Sequence, residues 1–180
     1  MENEGRVYIG IDPGISGAVA AITEAGDLIA AHHIPTLQAK GKRREVNVGA
    51  LRTLVTGMIG HGRVKGMIGH GRVMGAVERV GARPGQGVVS MYRFGKACGL
   101  LEGLLLGLGV PYITPLPRSW QAAMLKDVEG ETPKIRAVIA ASRLWGNLDL
   151  TLKKDHNKAD AALIAMYARQ EHLQSIGRGD

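Results

Sequence analysis

Residues 7–34 decide the fold. They read Val7-Tyr8-Ile9-Gly10-Ile11-Asp12-Pro13-Gly14-Ile15-Ser16-Gly17-Ala18-Val19-Ala20-Ala21-Ile22-Thr23-Glu24-Ala25-Gly26-Asp27-Leu28-Ile29-Ala30-Ala31-His32-His33-Ile34. Residues 7–11 are a short apolar run rich in β-branched side chains, stopped by Asp12-Pro13-Gly14. That is the pattern of a strand buried on both faces. Residues 18–22 and 28–34 are two more such runs, separated by a five-residue polar turn, and they read as an antiparallel hairpin.

Working outward, apolar residues at 48, 51, 54, 55, 58 and 59 recur at helical spacing, which predicts a helix over 48–59. Residues 73–77 form another buried-strand run. A long helical pattern covers 88–108, and 110–114 is a strand closed by Pro115 and Pro117. Thr132 as N-cap and Pro133 at the first position open a helix over 133–145. The last clear helix is 157–173. The fold class is therefore α/β, with a mixed five-stranded sheet flanked by helices and an antiparallel hairpin feeding a partly parallel sheet.

At 180 residues and 19.1 kDa, a single domain over 1–180 is expected. Apolar residues make up 45%, enough to build a core and exclude wholesale disorder. The single cysteine, Cys98, excludes a disulfide framework and a cysteine-based zinc site. Residues 1–5 are polar and acidic, and no apolar leader or membrane span follows. The expectation is a soluble intracellular protein, cytoplasmic or nucleoid-associated.

Glycine and charge are unevenly spread. Glycine accounts for 26 residues, about twice its usual share, and 16 of them lie between Gly49 and Gly109. Residues 57–65 (GMIGHGRVK) and 66–74 (GMIGHGRVM) are one nine-residue unit written twice, which reads as a lengthened loop before the strand at 73–77. Gly95, Gly99, Gly103 and Gly107 form a four-residue stripe along the long helix. Each costs about 0.8–1.0 kcal/mol of helix propensity, so close packing is expected along the stripe, against the sheet first and across a dimer axis second. The chain carries a net charge of +7, but residues 40–96 alone carry +10 and the remainder −3. A local basic block of this kind points to a polyanion, nucleic acid first.

Three acids interrupt apolar surroundings. Asp12 ends one strand and Glu78 ends another. Asp160 shares a helical stripe with Leu163, Ile164 and Tyr167. Carboxylates in apolar frames need a partner or they protonate. One divalent cation satisfies all three, and hard oxygen ligands point to magnesium, with manganese as the alternative. Glu78 is one of only two acids in the basic block.

Taken in order, Gly10-Ile11-Asp12-Pro13-Gly14 with Ser16-Gly17-Ala18, the strand-end Glu78, and Lys153-Lys154-Asp155-His156-Asn157-Lys158-Ala159-Asp160-Ala161 resemble the RuvC-type Holliday-junction resolvases. The likeness is greatest to their phage-like and chloroplast-like branch. Phe94-Gly95-Lys96, Gly99, Gly103 and Pro117-Arg118-Ser119-Trp120-Gln121 are similar to that branch too.

The resemblance implies a ribonuclease H-like fold. It also implies a homodimer whose two acidic sites nick two strands of a four-way DNA junction, leaving 5′-phosphate and 3′-hydroxyl ends. Asp12, Glu78 and Asp160 match the family's acidic ligands. The fourth position falls on Asp155, His156 or Asn157. Asp155 matches the nearer branch, and His156 is a fallback ligand or proton carrier. Five residues on one helix are about 140° apart, so Asp155 must sit at or before the helix start to share a metal with Asp160.

In this reading Lys42, Arg43, Arg44, Arg83, Arg93, Lys96, Lys134, Lys153, Lys154 and Lys158 contact DNA phosphates. The rival readings are a junction-binding or broader branched-DNA nicking protein of the same fold, and a ribonuclease H-like ATP-binding domain. The last normally needs two such domains and a second phosphate loop.

Overall fold

The computed structural model describes residues 5–39, 41, 43–60, 72–81 and 85–177. Lys42, Arg83 and the middle of the duplicated unit, 61–71, lie outside the described residues, as does the side chain of Lys153.

Five strands form the main sheet: β1 (Val7–Asp12), β2 (Ala18–Thr23), β3 (Leu28–His33), β6 (Val73–Val77) and β7 (Tyr112–Ile113), in the order β3-β2-β1-β6-β7. β1 is antiparallel to β2 and parallel to β6. Between β3 and β6 lie a small hairpin of β4 (Thr36–Gln38) and β5 (Arg44–Val46) and the helix α1 (Val48–Gly60). The remaining helices are α2 (Val88–Gly107), α3 (Pro117–Met124), α4 (Pro133–Leu144) and α5 (His156–Ile176), the last entered through a 3₁₀ turn over Lys153–Asp155. Among the described residues no helix is long and apolar enough to cross a membrane.

The mixed sheet flanked by helices is the one the sequence predicts, and the differences are local. The strand expected over 110–114 shrinks to Tyr112–Ile113, because the Val110 N–H caps α2 through the Leu105 carbonyl and Pro111 has no N–H to offer. Pro117 starts a helix where it reads as a strand stop, since proline suits the first helical turn.

Two cores cover the sheet. Along β1, Val7, Ile9 and Ile11 face one way, toward α1 and α2, while Tyr8 joins the core built on α5. Strand alternation therefore places Gly10 and Asp12 on the α5 face. Gly10 shows how close α5 comes. A Cβ there would stand 2.0 Å from the Ala161 carbonyl oxygen and 2.3 Å from the Ala165 nitrogen. Only a residue without a side chain lets the α5 backbone rest on β1 in this way.

The glycine stripe of α2 departs from expectation. A Cβ at Gly95, Gly99, Gly103 or Gly107 meets nothing within 4 Å. Ala97, Leu101 and Leu105, two positions out of phase, take the buried face instead. Their side chains bury apolar area that glycine lacks, so the glycines face outward. Val88, Val89, Tyr92 and Leu106 are also exposed on α2, Tyr92 to 71%.

Candidate functional site

The parallel register pairs Gly10 with Ala76 and Ile11 with Val77, so Asp12 and Glu78 are the next residues at the same end of neighbouring strands. The Glu78 N–H donates to the Ile11 carbonyl (3.0 Å), carrying the ladder one step past β6. Met74 and Ala76 pack in the α5-side core and Val73 and Val77 in the other, so alternation puts Glu78 on the same face as Asp12. Asp160 is held over this end of the sheet because its neighbour Ala161 lies against Gly10. Three carboxylates from three separate segments thus converge at the carboxyl ends of the two central parallel strands, where open α/β sheets bind ligands.

Their electrostatics are strained. Burial pushes the Asp12 carboxyl well above its ordinary range, Asp160 and Glu78 push it further, and Lys134 opposes them. Asp160 is raised to about 7, by burial first and Glu78 second, again opposed by Lys134. Lys134, expected from the sequence to hold a phosphate, is exposed at the start of α4. Among the described residues no group of three or more His, Cys, Asp or Glu side chains already stands close enough to hold a metal ion. Neighbouring carboxylates repel each other, and one oxygen of Glu78 is engaged elsewhere: the Trp120 indole N–H donates to Glu78 Oε1 at 2.8 Å.

The candidates for a fourth ligand have distinct surroundings. Asp155 lies just before α5, as the helical geometry requires, and is 1% exposed. Its Oδ1 meets His33 Nε2 (3.0 Å) and Lys158 Nζ (3.1 Å), and its Oδ2 accepts from the Leu152 N–H (2.7 Å). Burial drives this carboxyl upward, but those three partners outweigh it and hold it below its ordinary range. Asp155 thus ties the end of β3 to the start of α5. Asn157 donates its side-chain amide to the Ser16 carbonyl, tying α5 to the turn after Asp12. His156 is the first residue of α5 and half-buried.

The basic residues divide by environment. Lys158 is buried and pairs with Asp155 and, at 3.8 Å, Asp149. Lys154, Arg43 and Arg44 are exposed. Arg44, Arg93 and Lys96 rim a cleft of about 280 Å³ whose floor includes Ile15, Val46, Ala97 and Leu100. Ile15 places that cleft three residues beyond Asp12. Lys96 also reaches Glu45 across its mouth at 4.0 Å.

Sequence reading missed two partners of the acids, His33 and Trp120. The available signal was the indole itself. It is a donor without acceptor capacity, so a buried tryptophan must find an acceptor.

The mixed five-stranded sheet flanked by helices is a fold the chain shares with solved RuvC structures. The chain is similar in structure to RuvC from Thermus thermophilus. Against that protein in complex with Holliday junction substrate, the TM-score is 0.61 at 24% identity, covering 92% of this chain and 96% of that one. Against a second Thermus thermophilus RuvC structure it is 0.59 at 20% identity, covering 93% and 96%. No protein-family model and no curated protein matches the sequence.

Proposed function

We propose that this chain is a structure-selective DNA endonuclease that resolves four-way junctions by paired, metal-dependent nicks. One observation carries the reading: Asp12, Glu78 and Asp160 converge at the strand ends of a RuvC-like fold, where burial raises the carboxyls of Asp12 and Asp160, Glu78 raises both further, and Lys134 opposes the rise in each. The donor set fits a divalent cation, since carboxylate oxygens are hard ligands and ionisation of Asp12 and Asp160 is disfavoured where they stand. Asp12, Glu78 and Asp160 would hold magnesium or manganese; a further ligand would come from Asp155, His156 or Asn157 at the α5 start, and Asp155 would have to give up its bonds to His33 and Lys158 to serve. A bound divalent ion of this class activates water and stabilises the leaving oxygen in phosphodiester hydrolysis.

The chain's own side chains bring the DNA. Lys134 stands beside the acids and is suited to holding the phosphate next to the scissile bond. Lys154, Arg43 and the cleft of Arg44, Arg93 and Lys96 extend a cationic surface for the junction arms. Two symmetric nicks need two sites. The open glycine stripe of α2, flanked by exposed Val88, Val89, Tyr92 and Leu106, supports a homodimer joined there.

The test is incubation with a synthetic four-way junction and magnesium. Wild type produces paired symmetric nicks, while Asp12→Asn and Glu78→Gln bind the junction at least as tightly and leave it intact. ATP hydrolysis without nicks contradicts the proposal.

A further inference from the structure

We propose that Trp120 is a positioning residue for the acid cluster: its indole N–H fixes the Glu78 carboxylate in the orientation from which it serves a divalent cation. This rests on the reading of Glu78 as a ligand and adds the residue that aims it.

Glu78 lies one residue beyond β6 and carries a long, flexible side chain. Its backbone is stitched on both sides: the Glu78 N–H bonds the Ile11 carbonyl (3.0 Å) and the Arg79 N–H bonds the Pro115 carbonyl (2.8 Å). The second bond anchors the lead into α3, and Pro117 fixes the first turn of that helix. Trp120 then falls opposite Glu78. It is 1% exposed and packs in the same core as Ala76 on β6 and as Ala159 and Ala161, the neighbours of Asp160. Its position is therefore set by β6, which leads into Glu78, and by α5, which carries Asp160.

The two tryptophans of the chain make the choice of acceptor informative. Trp145 is also buried, and its Nε1 donates to the Gly26 carbonyl at 2.9 Å. A backbone carbonyl is thus sufficient to satisfy a buried indole here. Trp120 instead spends its only donor on a carboxylate oxygen, at 2.8 Å, within the range of a charge-assisted bond. An indole cannot accept a hydrogen bond, so it favours a carboxylate turned with an oxygen toward it. Partners of this kind orient metal ligands, and their loss weakens metal affinity about 10–100-fold.

The decisive replacement keeps the shape and removes the donor. With 3-benzothienylalanine at position 120, sulfur replaces the indole N–H. The substituted chain should keep its circular dichroism and melting temperature, yet bind Mn²⁺ about tenfold or more weakly by electron paramagnetic resonance of free Mn²⁺. Junction nicking should return as Mn²⁺ is raised. Trp120→Phe should shift affinity the same way, and Trp145→Phe should leave it unchanged.

Trp145→Phe also leaves Trp120 as the sole indole, and its emission should then shift saturably with Mg²⁺. Wild-type Mn²⁺ affinity in the benzothienyl chain, or silent Trp120 emission at saturating Mg²⁺, overturns the assignment of Trp120. Failure of the underlying reading looks different: wild type itself binds no Mn²⁺, or Asp12→Asn binds it as well as wild type.

Discussion

At Asp12 and Asp160, burial and neighbouring carboxylates both disfavour ionisation, and the consequence has a definite sign. A carboxyl raised on folding binds its proton more tightly in the native state. It contributes full stability below its ordinary value and loses that contribution as pH rises through the raised one, about 7 for Asp160. Without divalent ions, Asp160→Asn should therefore melt higher than wild type at pH 8, with the gain shrinking toward pH 5. A gain independent of pH contradicts the account. Magnesium should raise the wild-type melting temperature more at pH 8 than at pH 6, because it occupies the ionised form. These acids were legible because each interrupts an apolar run. Their partners were not: His33 and Asp155 lie far apart in sequence, as do Trp120 and Glu78, and only the folded sheet and helices bring them together.

Among the elements, α5 does most of the positioning. Its backbone rests on β1 at Gly10, its first turn is tied to β3 through Asp155 and His33, and Asn157 ties it to the turn after Asp12. Gly10→Ala should push α5 off the strand, since the obstructing atoms are backbone and cannot rotate away. A loss of about 1–3 kcal/mol or more is expected, read as a lower midpoint in urea unfolding. Nicking should fall further than stability alone explains, because Asp160 moves with the helix. An unchanged midpoint contradicts the close packing. The five strands of the main sheet and four of the helices follow from period and punctuation. β4 and β5 do not, being three residues each and partly polar, and α3 was hidden because Pro117 reads equally well as a strand stop and a helix start. The α2 glycines show a further limit of spacing: a stripe identifies a face, but burial of the competing Ala97-Leu101-Leu105 stripe decides which way that face turns.

Across the whole molecule, the acids gather at one end of the central strands. The cationic side chains nearby, Lys134 and the cleft of Arg44, Arg93 and Lys96, lie on segments that leave the sheet at or after that end. Charge arithmetic located the basic block, and the fold explains why one glutamate stands within it: β6 carries Glu78 to the partner position of Asp12. The central claim is that Asp12, Glu78 and Asp160 form one divalent-metal site that cuts DNA. A crystal soaked in Mn²⁺ and measured at the manganese absorption edge tests it most directly. An anomalous peak bounded by these three carboxylates is expected, lost in Asp12→Asn together with junction nicking. A wild-type enzyme that nicks junctions while its manganese binds elsewhere would contradict the claim.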